Sequence, residues 1–359
     1  MRIAQIAPLF ESVPPAKYGG TERCVHYLTE SLVDRGHDVV LFASGDSQTS
    51  GELCPCAPRS LRTSEQISDA GVYTAIQLGY VMEQIDRFDI LHFHLGCSHF
   101  PMAKHLEIPH VSTMHGPVTG NDHAQLLKQF NKIPLVSISN SQRHPCTNAN
   151  WLKTIHHGLP RDLYEYKQTN GTAQYLAFIG RISPEKGIDR AIEIANRMGL
   201  PLKIAAKIDH ADQAYYREHI APMIAANAKI EFIGEINDQG KQQLLSQALA
   251  LLFPVDWPEP FGLVMIEANA CGTPVVAWRN GSTPEVINDG INGYIVESID
   301  NAVSAIKQLE KLDRLKIRQN FESRFCADKE AEEYENVYRQ LIQTHNCERK
   351  AIRRLNHAA

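Results

Sequence analysis

The sequence predicts an α/β protein of two doubly wound Rossmann-like domains facing a cleft. Three observations carry this. Short apolar, β-branched runs alternate with helix-length segments, which is the pattern of a parallel sheet covered by helices on both faces. The alternation lapses into Tyr, Lys, Gln, Thr, Asn and Gly over Leu163 to Ala173, with Asn170-Gly171 as a turn signal, and then begins again. The chain of 359 residues is long enough for two cores of ordinary size.

In the first series, Ile3 to Ala7 reads as a buried strand, followed by a proline-rich loop to Tyr18-Gly19-Gly20-Thr21-Glu22. Thr21 is the expected N-cap of a helix whose Cys24, Val25, Leu28, Leu32 and Val33 fall on one stripe. Gly36 closes that helix and His37 to Ala43 is the next strand. Gly19-Gly20 before a helix either sets backbone amides against a phosphate or makes a simple tight turn. Further strands are expected at Ile90 to Phe93, Val111 to Met114, Leu135 to Ile138 and Thr154 to His156. Parallel sheets bind ligands at the carboxyl ends of their strands, so His115-Gly116 and Asn140-Ser141 become candidates. A lone histidine after a strand is more often a local hydrogen-bonding residue.

The second series opens with Tyr175 to Ile179 and Gly180-Arg181-Ile182-Ser183-Pro184-Glu185-Lys186-Gly187. Ser183 reads as an N-cap and Pro184 as the first residue of a helix to about Met198, which puts Lys186 in the first turn. The helix dipole repels a cation there, so the position asks for an anion: a bound diphosphate, or Glu185 on the surface. Arg181 offers a bidentate fork to the same phosphates. Strands follow at Leu202 to Ala206, Ile230 to Ile233 and Ala248 to Phe253.

After the last of these comes the corner Pro258-Glu259-Pro260-Phe261-Gly262-Leu263-Val264-Met265-Ile266-Glu267. Pro260 suits a helix's first turn and Gly262 allows close approach of a ligand to the backbone. Glu267 lies roughly 9 Å from Glu259 along such a helix, at about 1.5 Å rise per residue. A carboxylate's two acceptor oxygens suit a vicinal diol, so sugar hydroxyls are natural partners. The alternatives are a first-turn acid at Glu259 and a solvated Glu267. The last helix, Asp328 to Ile342, carries Tyr334, Val337, Tyr338 and Leu341 on an apolar stripe and leads into Arg349-Lys350-Ala351-Ile352-Arg353-Arg354. That basic tail is a candidate contact for an anionic membrane or an acidic acceptor, although four charges near a terminus are more often a solvated end.

A net charge of −5 gives no general attraction to nucleic acid. No run reaches the ~18 to 20 apolar residues of a membrane span, and Met1 to Ile6 is short for a signal peptide, so a cytoplasmic location is expected. Eight scattered cysteines contain no C-x-x-C pair; only Cys54-Pro55-Cys56 is close-spaced. His92 and His94 share a strand face but have no further ligand at recognisable spacing, so no metal site is expected. The fingerprint G-x-G-x-x-G is absent, which argues against a nicotinamide enzyme. Gly234 to Gln242 imitates a Walker loop, but with five residues between the glycines and Gln in place of Ser or Thr.

Taken together, Gly19-Gly20, Thr113-Met114-His115, Ser139-Asn140-Ser141, Gly180-Arg181 with Lys186-Gly187, Phe232-Ile233-Gly234, Pro258 to Leu263, Glu267-Ala268, Gly272-Thr273-Pro274 and Pro284-Glu285 resemble the retaining glycosyltransferases of family four, of GT-B fold. The resemblance runs nearly the whole length. It implies an acceptor-side domain at 1–165, a nucleotide-sugar domain at 166–330, and a helix and basic tail at 331–359 crossing back to the first domain. It implies a nucleoside-diphosphate sugar as donor, UDP-sugar favoured over GDP-sugar, and a saccharide, lipid-linked or small-molecule acceptor. No cofactor or metal is expected, because no D-x-D pair stands ready to hold one.

By the same resemblance Arg181 and Lys186 bind the leaving diphosphate, Glu259 a hydroxyl of the transferred sugar, and Glu267 the ribose. The backbone of Phe261, Gly262 and Leu263 holds sugar and phosphate, and the main chain near Ile236 faces the base. His115 approaches the sugar, and Gly19 and Gly20 close on the phosphates. Two positions depart from the pattern: Ala206-Lys207 stands where many relatives carry Gly, so that Lys207 either adds a phosphate contact or merely caps the cleft wall, and Gly116-Pro117 follows His115 in place of an acid. The competing readings are a sugar-nucleotide epimerase of the same fold and a non-catalytic sugar-nucleotide sensor.

Overall fold

The structure is a computed structural model that describes residues 1–17, 19–64, 69–167 and 175–358, the side chains of 63 and 352–358 excepted. Tyr18, the Asn170-Gly171 turn and most of the expected linker lie outside the described residues, as do the side chains of Ile352, Arg353 and Arg354 in the basic tail. The chain divides into two compact units. The first comprises Met1–Gly158 with Ala327–Ala359, and the second Leu159–Cys326.

The first unit is built on seven parallel strands among the described residues: β1 Arg2–Ile6, β2 Asp38–Ser44, β3 Glu52–Ala57, β4 Ile90–Phe93, β5 His110–Met114, β6 Leu135–Ser137 and β7 Trp151–Thr154, in the order β3-β2-β1-β4-β5-β6-β7. The central strands β1, β2 and β4 are buried almost throughout, as strands covered on both faces must be. β3 was not anticipated. It carries Cys54-Pro55-Cys56 at the sheet edge, where a proline is tolerated, and its pairing shifts register between Ala43 and Ser44. Cys54 and Cys56 are free thiols, and burial pushes Cys56 up, with Cys54 adding to the effect.

The final helix, Ala327–Ala358, packs its stripe on this sheet's helical face. Tyr334, Val337 and Tyr338 are buried beside Leu28 and Leu32 of the helix Gly20–Asp34. Glu335 reinforces that seam, taking hydrogen bonds from Arg35 at 2.6 Å and His37 at 2.9 Å.

The second unit has six parallel strands among the described residues: β8 Leu176–Arg181, β9 Leu202–Lys207, β10 Ile230–Gly234, β11 Ala250–Phe253, β12 Val275–Trp278 and β13 Gly293–Val296, in the order β10-β9-β8-β11-β12-β13. In both sheets the strand order reverses once, between β1 and β4 and between β8 and β11. Crevices at the carboxyl ends beside such a switch point are where open α/β sheets take ligands. β8 runs into the Arg181-to-Lys186 turn and β11 into the Pro254-to-Gly262 loop, so these two segments flank the second unit's switch point.

Three helix starts differ from expectation. The first helix begins at Gly20 with Gly19 as N-cap at φ +150°, and Thr21 lies inside it. A Cβ at Gly19 would fall 2.7 Å from Pro15 Cβ, so the glycine itself sets the turn. The segment after Ser183 is a single 3-10 turn, Pro184–Lys186, and the helix proper is Ile188–Met198. Gly187 breaks the two apart at φ +69°, pressed so close to Pro254 that a Cβ would meet its carbonyl oxygen at 2.1 Å. Lys186 is therefore not in the helix's first turn. The third helix is Leu263–Ala270, capped by Gly262 at φ +77°, and Pro260 is buried in the loop before it.

Candidate active site

At the carboxyl end of β8, Arg181 extends among three carboxylates. Its Nη2 donates to Glu185 Oε1 at 2.5 Å, Nη1 lies 3.7 Å from Asp209 Oδ2, and Nε 3.5 Å from Asp212 Oδ2. Ser183 Oγ donates to the same Glu185 oxygen at 2.7 Å, so Ser183 positions an acid and caps no helix. Burial works against ionising Glu185, but the hydrogen bonds from Ser183, its own backbone and Arg181, with the Arg181 charge, bring its carboxyl below the ordinary value. Glu185 thus serves Arg181 and not Lys186. Lys207, paired across the sheet with Arg181, reaches Asp209 Oδ1 at 2.8 Å.

Lys186 finds its anion across the switch point. Its Nζ donates to Glu259 Oε2, which also accepts from Trp257 Nε1 at 2.7 Å, and the ammonium stands 5.2 Å over the Trp257 ring. One carboxylate oxygen is thus held by two donors from either side of the β8/β11 junction. The loop carrying Glu259 is fixed from below by Asn280-Gly281-Ser282. Ser282 N donates to Glu259 O at 3.0 Å and Ser282 Oγ to Phe261 O at 2.7 Å. A Cβ at Gly281 would stand 2.3 Å from that same Glu259 carbonyl oxygen.

Glu267 is buried on Leu263–Ala270, 2% exposed, with Lys241 Nζ 2.6 Å from its Oε1. The alternative reading of Glu267 as a solvated face residue fails here. Lys241 comes from the stretch that imitates a Walker loop; in the structure it belongs to the helix Asp238–Ser246, capped by Asn237 through Gly240 N at 2.9 Å. Ile236 precedes that cap and packs on Gly240. Phe261 is buried and Leu263 opens its helix. The second unit therefore brings together Arg181, Lys186, Lys207, Glu259 and the Gly262 corner at its strand ends, and adds the Lys241–Glu267 pair. Sequence reading passed over Lys241, Trp257, Asp212 and the Gly281-Ser282 anchor. The signal at Lys241 is its place in the Gly234-to-Gln242 stretch, whose likeness to a Walker loop masks its pairing with Glu267.

In the first unit, His115 follows β5. Its Nε2 lies 2.8 Å from His94 Nδ1, and its ring stacks on His157 at 5.1 Å and 10°. His94 Nε2 meets Gln5 Oε1 at 2.7 Å, and His92 bridges Tyr338 OH and Thr113 Oγ1, each at 2.7 Å. The ring nitrogens of His92 and His94 are thus engaged within the fold. Burial drives His92, His94 and His115 well below their ordinary value, with neighbouring histidines adding to it. Gly19 and Gly20 open the first helix of the same unit.

Family models match both units. The model for glycosyl transferases group 1 covers residues 163–324, and that for glycosyltransferase family 4 covers residues 18–162. The chain belongs to glycosyltransferase family 4. As a glycosyltransferase it is 25% identical to an uncharacterized glycosyltransferase of Methanocaldococcus jannaschii over 81% of this chain and 85% of that one. It is also 25% identical to the N-acetyl-alpha-D-glucosaminyl L-malate synthase of Bacillus anthracis, over 93% of this chain and 96% of that one. Its GT-B fold is shared with a solved glycosyltransferase involved in avilamycin A biosynthesis, at TM-score 0.75 and 23% identity over 95% of this chain and 98% of that one. Anabaena HepE, solved in complex with UDP and glucose, aligns at TM-score 0.74 and 18% identity over 95% of this chain and all of that one. Among the described residues, no helix of the glycosyltransferase is long and apolar enough to cross a membrane.

Proposed function

We propose that this glycosyltransferase moves a sugar from a nucleoside diphosphate, UDP favoured and GDP second, to an acceptor hydroxyl with retention at the anomeric carbon and without a metal. The observation that carries the reading is the Lys186–Glu259 pair bridging the β8/β11 switch point beside Arg181. It sets a cation for phosphate next to an acceptor for sugar hydroxyls where such sheets take ligands. That a fold relative, Anabaena HepE, was solved with UDP and glucose supports the choice of base.

Arg181, Lys186 and Lys207 hold the diphosphate and stabilise the charge that develops on it as the glycosidic bond breaks. Glu259, steadied by Trp257, accepts from a hydroxyl of the transferred sugar. Backbone N–H groups of Phe261, Gly262 and Leu263 hold sugar and phosphate. Glu267, already partnered by Lys241, takes the ribose hydroxyls, and the main chain at Ile236 faces the base. Gly19 and Gly20 meet the phosphates and His115 the sugar. The acceptor oxygen attacks the anomeric carbon on the face from which the diphosphate leaves, and the leaving phosphate oxygen takes the acceptor's proton. The acceptor is a saccharide, a lipid-linked sugar or a small molecule, and residues 349–354 are a contact for anionic membrane.

The test is a thermal-shift screen of nucleoside diphosphates and their sugars, with and without EDTA, on wild type, Lys186→Ala and Glu267→Ala. Base-selective stabilisation that survives EDTA and disappears in both variants is expected. No shift with any sugar nucleotide overturns the donor assignment, and inversion of the product anomer overturns the mechanism.

A further inference from the structure

The hydrogen bonds around His115 fix more than its place. Gln5 Nε2 donates to Tyr338 OH at 3.2 Å, which turns the Gln5 carbonyl oxygen toward His94. That oxygen accepts only, so His94 Nε2 carries a proton. A neutral His94 then has its lone pair on Nδ1, and the atom facing it, His115 Nε2 at 2.8 Å, must be the donor. A neutral His115 with its proton on Nε2 keeps a lone pair on Nδ1. Among the described residues that Nδ1 is buried and has no hydrogen-bond partner.

The reverse polarity requires the Gln5 amide turned over, with its NH2 facing His94 and its oxygen toward Tyr338. It also strands an N–H on His115 Nδ1 with no acceptor among the described residues. The ring plane is set independently. His157 stacks on His115 and is itself held by Glu330 Oε1 at 3.0 Å.

We propose that Tyr338, Gln5 and His94 are positioning residues that hold His115 in its Nε2–H tautomer, so that it offers a sugar hydroxyl a lone pair at Nδ1. This rests on the reading of His115 as a contact to the transferred sugar. Other buried side-chain atoms share this state among the described residues, His99 Nδ1 and His110 Nε2 among them, but His115 stands just past the carboxyl end of β5, where a ligand hydroxyl would complete it. The arrangement selects a hydroxyl, which donates, over a carbonyl or ether oxygen, which cannot. It also gives the final helix a part in the site, because Tyr338 orients the Gln5 amide from that helix.

The experiment is nitrogen-15 NMR of the full chain labelled at histidine, with His115→Ala assigning the signals, on wild type, Gln5→Met and Tyr338→Phe. Tyr338→Phe keeps the buried ring and so guards against a variant that merely fails to fold. Wild type is expected to show His115 with a protonated Nε2 and a bare Nδ1, and both variants a mixture of tautomers. With UDP-glucose as the probe and sugar release to water as the readout, kcat is expected to fall about five- to ten-fold, the size of one hydrogen bond, with KM within about two-fold.

A protonated Nδ1 in wild type, or a tautomer unmoved in both variants, overturns the proposal. So does His115→Ala turning over UDP-glucose at the wild-type rate while the nucleotide still binds. Should no sugar nucleotide bind wild type at all, the donor reading falls, and the tautomer is decided separately by the spectra.

Discussion

Lys241→Met tests the buried half of the site. Lys241 Nζ lies 2.6 Å from Glu267 Oε1, with the carboxylate side chain 2% and the lysine 15% exposed. Removing one partner of a fully buried pair costs about 3–5 kcal/mol, because the remaining charge is left without compensation. Lys241 keeps some water and a second acid, Asp238 at 3.9 Å, so about 2–4 kcal/mol is expected. For a unit of this size that corresponds to roughly 4–16 °C in Tm. Lys241→Met with Glu267→Gln removes both charges and should recover about 2 kcal/mol relative to the sum of the single variants. Urea unfolding followed by circular dichroism reads both quantities, and the UDP thermal shift reads whether Glu267 still holds its place. A single variant within about 0.5 kcal/mol of wild type, or a double variant no better than the sum, would refute the buried pair.

Gly187→Ala should destabilise the second unit by about 3 kcal/mol and weaken UDP binding, since its Cβ would meet Pro254 O at 2.1 Å at φ +69°. Gly290→Ala is the control: at φ +74° it has nothing within 4 Å and should cost only about 1–2 kcal/mol for the backbone, as thermal unfolding will show. Asp212→Asn, which removes one of the three acids around Arg181, is expected to tighten UDP binding by calorimetry about two- to five-fold at low salt, with the gain shrinking as salt rises. The hydrogen bond from Arg35 holds the Glu335 carboxyl down at about 2, against the cost of its burial and with help from His37. A depressed acid contributes stability above its unfolded value near 4.5 that is lost as pH falls toward 2, here about 1–3 kcal/mol. Urea midpoints of wild type and Glu335→Gln should therefore differ at pH 6 and converge between pH 4 and 2.5.

Much of the fold was legible because parallel strands buried on both faces write themselves as continuous apolar runs, as at Ile90–Phe93 and Ala250–Phe253. The apolar stripe of the final helix was equally plain, since Tyr334, Val337 and Tyr338 recur at helical spacing over a buried seam. What escaped were features set by contacts distant in sequence. Ser183-Pro184 has every local sign of a helix start. Yet the helix waits until Ile188, because Pro254, across the sheet, leaves room only for a glycine in left-handed conformation at position 187. The edge strand β3 was hidden by Pro55, which local reading treats as a breaker and an edge tolerates. Glu267 gave no sign of burial, since its cation stands 26 residues earlier on another helix.

The cations of the candidate site are not waiting bare for phosphate. Arg181 is surrounded by Glu185, Asp209 and Asp212, and Lys186 is bound to Glu259. On the proposed reading a phosphate would therefore exchange carboxylate contacts for its own, and the net gain would be smaller than two free cations would give. The arrangement has a compensating effect. A side chain already held by several partners loses less freedom when a ligand binds, and preorganised donors need little rearrangement when charge grows on the leaving group. Glu259 would gain in the same way under the proposed donor reading: a diphosphate drawing Lys186 off would leave the carboxylate its bond from Trp257 Nε1 at 2.7 Å and free acceptor capacity for a hydroxyl. On that reading, arrival of the diphosphate and readiness of Glu259 for the sugar would be one event, coupled through the single Lys186–Glu259 ion pair at the switch point.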